Sequence, residues 1–172
     1  MKAAYLSLFV LTISTVRAQP QQENSEELQK RNGFKSIKLA QHIDSVSGAT
    51  FKKEIKEKGE FPAKIYAIND DKYNAIGEVK VTGVEVKTYK DLVYAIEVTT
   101  EKDQRLMKGM ELALGKATYN VRTKAYHWRA DSLSLTFIGT KKSLLLIYKS
   151  HPVYKMMYTD KGKKIEKIAD DF

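Results

Sequence analysis

The chain has no cysteine among its 172 residues. This absence excludes disulfide bonds, thiolate metal sites and a cysteine nucleophile. It also excludes the lipidated cysteine that anchors bacterial lipoproteins. An exported domain without disulfides depends on its hydrophobic core for stability, which is typical of the bacterial envelope or exterior rather than of small eukaryotic disulfide-bonded scaffolds.

Glycine is scattered through the chain rather than clustered. Positions such as Gly83 and Gly109 stand alone, so the sequence has no P-loop and no dinucleotide-binding fingerprint. It has no nucleophile elbow either. The three histidines, His42, His127 and His151, do not follow a metal-binding spacing. We therefore expect a protein without catalytic residues, and without a metal site.

The amino-terminal segment has the organisation of a secretory signal peptide. Lys2 precedes an apolar run over Ala3–Val16, and a small-residue cleavage site ends at Ala18. The apolar run is too short to span a bilayer. We expect residues 1–18 to be a signal peptide and the mature chain to begin at Gln19. The product would then be soluble in the periplasm or outside the cell.

The mature chain divides into a leader and one domain. Residues 19–32 are polar apart from one leucine, so they cannot bury enough apolar area to offset the entropy of ordering. They predict a flexible polar leader, followed by a single domain over residues 33–172. Loss of residues 1–18 leaves 28 basic residues against 21 acidic ones, a net charge of +7. Such a surplus favours anionic partners.

Two segments carry helix signals in the first two thirds of the chain. In Ala49–Lys58, Phe51 and Ile55 are four residues apart and oppositely charged pairs share that spacing. We predict a helix there. A second helix is predicted between an N-cap at Thr100 and Gly115, with one apolar stripe of leucine, methionine and alanine.

The remaining periodicity predicts strands. Alternation over Leu92–Val98 is the clearest strand signal, and Phe61–Asn69 also favours a strand. Ile76–Lys87 is rich in valine, and its shift of phase at Thr82 predicts a β-bulge. Three further strands are predicted between Tyr119 and Lys149, and the segment after them favours a helix over another strand.

This order predicts an α+β fold, with an antiparallel sheet and helices packed on one face. It is compatible with two α-βββ units in tandem. The layout resembles that of β-lactamase inhibitor proteins and of small outer-membrane assembly lipoproteins of the SmpA type. The first of these resemblances implies one alternative function, inhibition of a secreted hydrolase.

One short motif suggests a cofactor. Asp44-Ser45-Val46-Ser47-Gly48-Ala49-Thr50 resembles the D-x-x-S-G-A-T sequence of exported FMN-binding domains. The resemblance implies that FMN is joined through its phosphate to the Thr50 hydroxyl, with Ser47 and Gly48 keeping the turn open and Asp44 as the acidic recognition residue. It implies a flavin-carrying electron-transfer protein. The residues alone also allow a turn in which Ser47 or Thr50 caps the following helix.

The aromatic residues suggest a binding surface. Tyr126 and Trp128 share one face of a predicted strand, beside Lys124 and Arg129. If that face points away from the helices, it forms an exposed patch suited to binding; otherwise it covers the core. The favoured interpretation is an exported, soluble, non-catalytic binding domain without a cofactor. Its partner would be an envelope protein or an anionic glycan or lipid headgroup, and not a specific nucleic acid.

Overall fold

The computed structural model describes residues 22–58 and 60–170. The predicted signal peptide, residues 1–18, and the start of the predicted leader, residues 19–21, lie outside the described residues. The α-helices are α1 (Gln22–Arg31), α2 (Gln104–Leu114) and α3 (His151–Ala169).

The strands are numbered in chain order. They are β1 (Gly33–Phe34), β2 (Ile37–Lys38), β3 (Ala49–Glu57), β4 (Phe61–Ile68), β5 (Ala75–Ile76), β6 (Val79–Tyr89), β7 (Leu92–Glu101), β8 (Thr118–Asn120), β9 (Ala125–Arg129), β10 (Leu133–Gly139) and β11 (Ser143–Ser150).

The strands of the main sheet run antiparallel in the order β3-β4-β6-β7-β11-β10-β9-β8, and β5 pairs with β6. Strands β1 and β2 form a separate small hairpin. The predicted α+β class with an antiparallel sheet is confirmed. The sheet has nine strands, and its two halves join where β7 pairs with β11. The predicted α-βββ unit is wrong, because five strands of the sheet, β3 to β7, lie between α1 and α2 and four, β8 to β11, lie between α2 and α3.

Helices lie on both faces of the sheet, which corrects the prediction of one covered face. Ala95 and Ile96 are consecutive in β7 and point to opposite faces. Ile96 belongs to the large core cluster with Leu28 of α1 and Leu106 of α2. Ala95 belongs to a second cluster with Met157 of α3. Helix α3 begins directly after β11. Without a connecting loop, the chain does not cross the sheet edge to the face on which α1 and α2 pack.

The predicted helix over residues 49–58 is wrong, since this segment is the edge strand β3. It pairs with β4 from Ala49 to Glu57, with a shift of register after Phe51. Pairs of opposite charge at helical spacing contribute only about 0.2–0.5 kcal/mol each, which the hydrogen bonds of the ladder outweigh. Most side chains of an edge strand are exposed, so β3 lacks the alternation that marks a buried strand.

The flexible leader is also wrong for its described part, because Gln22–Arg31 forms α1. The side chain of Leu28, the single leucine, is fully buried in the core. Asn32 ends the helix in the left-handed region, and its N–H donates to the Leu28 carbonyl at 3.0 Å. The Gln29 amide oxygen accepts from the Ser132 N–H at 3.0 Å. One buried leucine and side-chain hydrogen bonds thus order a segment of polar composition.

Other local predictions are confirmed. The bulge in β6 lies between Val81 and Gly83, and the carboxy-terminal segment is a helix. The stripe of α2 faces the core through Leu106 and Leu114. The N-cap of α2 is Asp103 rather than Thr100, because Thr100 still pairs with β11 as part of β7.

Candidate functional site

A groove lies beside α2, on the face of the sheet that α1 and α2 cover. Its volume is about 630 Å³, which is within the usual range for small-molecule sites. Four segments converge on it: the end of α1 with the β1–β2 hairpin, the β5–β6 turn, α2 and β11. We call it the α2 groove, and it is lined by Arg31, Gly33, Phe34, Lys35, Lys38, Ile76, Gly77, Glu78, Val79, Arg105, Leu106, Gly109, Met110, Ala113, Leu114, Leu146 and Tyr148.

The lining of the α2 groove is mainly apolar. Phe34, Met110 and Leu146 are buried core residues that also reach the groove. On α2, the groove passes Gly109 and Ala113, which are one turn apart. A Cβ placed on Gly109 would meet no atom within 4 Å. The small residues therefore leave the space open instead of filling it from the helix.

Basic residues surround this apolar surface, but they differ in whether a carboxylate pairs with them. Arg31 pairs with Glu27 at 2.7 Å, and Arg105 pairs with Asp103 and Glu78, each at 2.8 Å. These carboxylates neutralise the two guanidinium groups. The remaining basic residues of the lining are Lys35 and Lys38, which both lie on the β1–β2 hairpin.

The two hairpin lysines donate to backbone carbonyls. The Lys38 Nζ donates to the Arg31 carbonyl at 2.8 Å and to the Lys35 carbonyl at 2.9 Å, while the Lys35 Nζ donates to the Lys72 carbonyl. Within residues 26–58 and 60–170, neither ammonium forms a salt bridge with a carboxylate. Their positive charge is therefore not compensated by this part of the chain.

Tyr148 is a lining residue with a polar group, the phenol hydroxyl. Burial raises the pKa of its phenol to about 12, so the hydroxyl stays neutral at any physiological pH. Among the residues whose side chains the structure describes, none forms a hydrogen bond with this hydroxyl. It is available to a bound molecule as a donor or an acceptor.

The raised pKa of Tyr148 predicts a loss of stability in alkali. The folded chain keeps this proton up to about pH 12, whereas an unfolded tyrosine ionises near pH 10. Between these values the unfolded state binds fewer protons, so the free energy of unfolding falls as pH rises. Urea unfolding from pH 8 to 11 should show this fall, and Tyr148→Phe should make it shallower. Equal slopes for the two proteins would contradict the burial of this phenol.

The predicted aromatic patch is wrong, because Trp128 is a core residue. Only 3% of its surface is exposed, and its indole N–H donates to the Gly115 carbonyl at 2.7 Å. Tyr126 shares that face, as predicted, and packs half-buried against the core. Arg129 and Lys124 are exposed, but Arg129 points to the opposite face of β9. The face shared by the two aromatics packs against the large core cluster, so it is not the exposed patch that was predicted.

The FMN-like motif forms the entry to the edge strand. Gly48 has φ +75°, and a Cβ there would lie 2.7 Å from the Asn69 carbonyl oxygen; this turn therefore requires glycine. The Ser47 hydroxyl donates to the Asp70 carboxylate at 2.7 Å. Asp44 and Thr50 are exposed, and Thr50 lies in β3. None of the four predicted flavin residues lines the α2 groove.

The histidines lie apart from the groove and from one another. His42 contacts Asp44 at 3.1 Å, His127 contacts the Thr136 hydroxyl at 3.1 Å, and His151 contacts the Asp131 carbonyl at 2.9 Å. In the part of the chain that the structure describes, no group of three or more metal-ligating side chains comes together.

The residues of the α2 groove were not found by sequence reasoning. The signal that could have indicated it is Gly109, a glycine in the middle of an otherwise regular apolar stripe. A helix interior disfavours glycine by about 1 kcal/mol relative to alanine, so such a position often has a packing or functional reason.

No protein-family model, curated protein or solved structure matches this chain. Over residues 22–58 and 60–170, no helix has the length and apolar character needed to cross a membrane.

Proposed function

We propose that this protein is an exported, non-catalytic binding domain whose ligand is a small, mainly apolar molecule held in the α2 groove. The observation that carries the proposal is the open apolar groove itself, which combines an apolar lining with a few polar groups. Such a combination is typical of ligand sites. The signal-peptide pattern supports export. The residues of the flavin-carrier alternative do not line this groove.

The position of the groove supports binding without large rearrangement. Its lining includes buried side chains from β11 and α2, such as Leu146 and Leu106, which the core holds in place. A ligand there would cover apolar surface at the cost of ordering few protein groups. Each Å² of apolar surface removed from water contributes about 25 cal/mol, and preorganisation preserves more of that gain as affinity.

We expect that filling the groove abolishes binding. In Gly109→Phe, the new ring has open space on the groove side of α2 and should occupy the place of a ligand. Titration with the neutral fluorescent probe N-phenyl-1-naphthylamine should show a loss of affinity of about tenfold or more, equivalent to at least 1.4 kcal/mol. Gly109→Ala is the matched control, and it should bind like the wild type while stabilising the helix by about 1 kcal/mol.

A second control separates the groove from other apolar surface. Leu112 is 89% exposed on α2 and does not line the groove. Leu112→Ser should leave probe binding unchanged. The proposed function is wrong if the wild type does not bind the probe, or if Leu112→Ser weakens binding as much as Gly109→Phe does.

A further inference from the structure

We infer that the ligand of the α2 groove is an anionic amphiphile, with its acidic head group beside Lys35 and Lys38 and its hydrocarbon chain along α2. This inference rests on the proposed function, because it names the chemical class of ligand for the same groove.

Positive charge is unevenly distributed around the groove. On α2, Arg105 already has two carboxylate partners, and Arg31 at the end of α1 has one. The ammonium groups of the β1–β2 hairpin donate to carbonyls, and that of Lys35 also lies 5.8 Å from the centre of the Phe34 ring, but among the described residues neither pairs with a carboxylate. The uncompensated positive charge is therefore concentrated on one of the four segments that line the groove.

The two hairpin ammonium groups retain free N–H donors. A lysine ammonium has three N–H donors. Lys38 uses two of them on the Arg31 and Lys35 carbonyls, and Lys35 uses one on the Lys72 carbonyl. Each retains at least one donor, while its carbonyl contacts restrain its position. Hydrogen bonds from a cation to a carboxylate or phosphate are among the stronger ones in proteins.

The charged hairpin lies beside an apolar lining. Leu106, Met110 and Leu146 offer neither charge nor hydrogen bonds to a ligand. An anionic glycan or a nucleic acid would leave this surface without a partner, and a neutral hydrocarbon would leave the lysines without one. A molecule with an acidic head group and an aliphatic chain complements both regions. The Tyr148 hydroxyl offers such a ligand one additional polar contact.

The test compares two competitors of equal chain length. Decanoate and decanol differ in charge at neutral pH. Each would be titrated against N-phenyl-1-naphthylamine bound to the protein expressed from the 172-residue sequence. We expect decanoate to displace the probe at about one tenth of the decanol concentration, because hydrogen bonds from an ammonium to a carboxylate are stronger than those between neutral groups. Added salt should reduce this preference.

The residue assigned to the head group is tested by Lys35→Gln. This variant should weaken decanoate binding much more than decanol binding, and so lose most of the preference for decanoate. Lys142→Gln, an exposed lysine in the β10–β11 turn, is the matched control and should keep the preference. Lys35 is itself exposed, so its replacement should leave the fold intact.

The outcomes separate this inference from the proposed function. Equal displacement by decanoate and decanol would overturn the anionic head group but leave the groove as a binding site. An equal loss of affinity for both competitors in Lys35→Gln would overturn the role of that ammonium. Failure of both competitors against a bound probe would overturn the amphiphile, whereas failure of the probe itself to bind would overturn the proposed function as well.

Discussion

Trp128→Ala should lower the free energy of unfolding by about 3–5 kcal/mol, the usual cost of removing a buried aromatic side chain. The indole is almost completely buried among the residues of the large core cluster. Its N–H also donates to the carbonyl of Gly115, the residue that caps α2 at its carboxy terminus. The substitution leaves both a cavity and a helix-end carbonyl without its donor.

Urea denaturation of the purified variant measures this effect. Arg129→Ala is the matched control, because Arg129 is the next residue of β9 and is exposed on the other face. Surface substitutions of this kind usually change stability by less than about 0.5 kcal/mol. If Trp128→Ala were as stable as Arg129→Ala, the burial of the indole would be contradicted and an exposed aromatic patch would have to be reconsidered.

Leu28→Ala should lower the free energy of unfolding by about 2–5 kcal/mol, as is typical for a fully buried leucine. The fully buried side chain of Leu28 packs α1 against the core. Helix α1 ends at Arg31, next to the β1–β2 hairpin on which Lys35 and Lys38 lie. The variant should therefore also reduce binding in the α2 groove, because undocking of α1 would displace that hairpin.

The same denaturation experiment distinguishes a docked helix from a flexible leader. Glu26→Ala is the control, since Glu26 lies in the same helix with an exposed side chain. It should have little effect, because alanine is the best helix former. Equal stability of Leu28→Ala and the wild type would contradict the packing of α1 and would restore the flexible leader predicted from composition.

The sequence predicted the fold well where apolar residues recurred with one regular spacing over a whole helix or strand. Alternation in β7 and the apolar stripe of α2 both reflect residues that face the core on one side only. Predictions failed where a few tertiary contacts, which composition and charge spacing do not reveal, determine the local structure. The single leucine of α1 did not suggest a docked helix, and the charge spacing in β3 matched a helix although the segment pairs with β4.

The candidate site was harder to predict than the fold, for two physical reasons. Strand periodicity showed that Tyr126 and Trp128 share a face, but which face the helices cover depends on the path of the chain outside that strand. The α2 groove combines residues from four segments that are far apart in the sequence. Lys35 and Lys38 look like ordinary surface lysines until the hairpin is placed beside α2.

The most direct test of the groove as a binding site is NMR of protein labelled with ¹³C at its methionine methyl groups, titrated with decanoate. Met110 lines the α2 groove, whereas Met157 belongs to α3 and is fully buried on the opposite face of the sheet. We expect a saturable shift of the Met110 signal and no shift of the Met157 signal. A Met110 signal that stays unchanged while decanoate binds, or a shift confined to Met157, would contradict the α2 groove as the binding site.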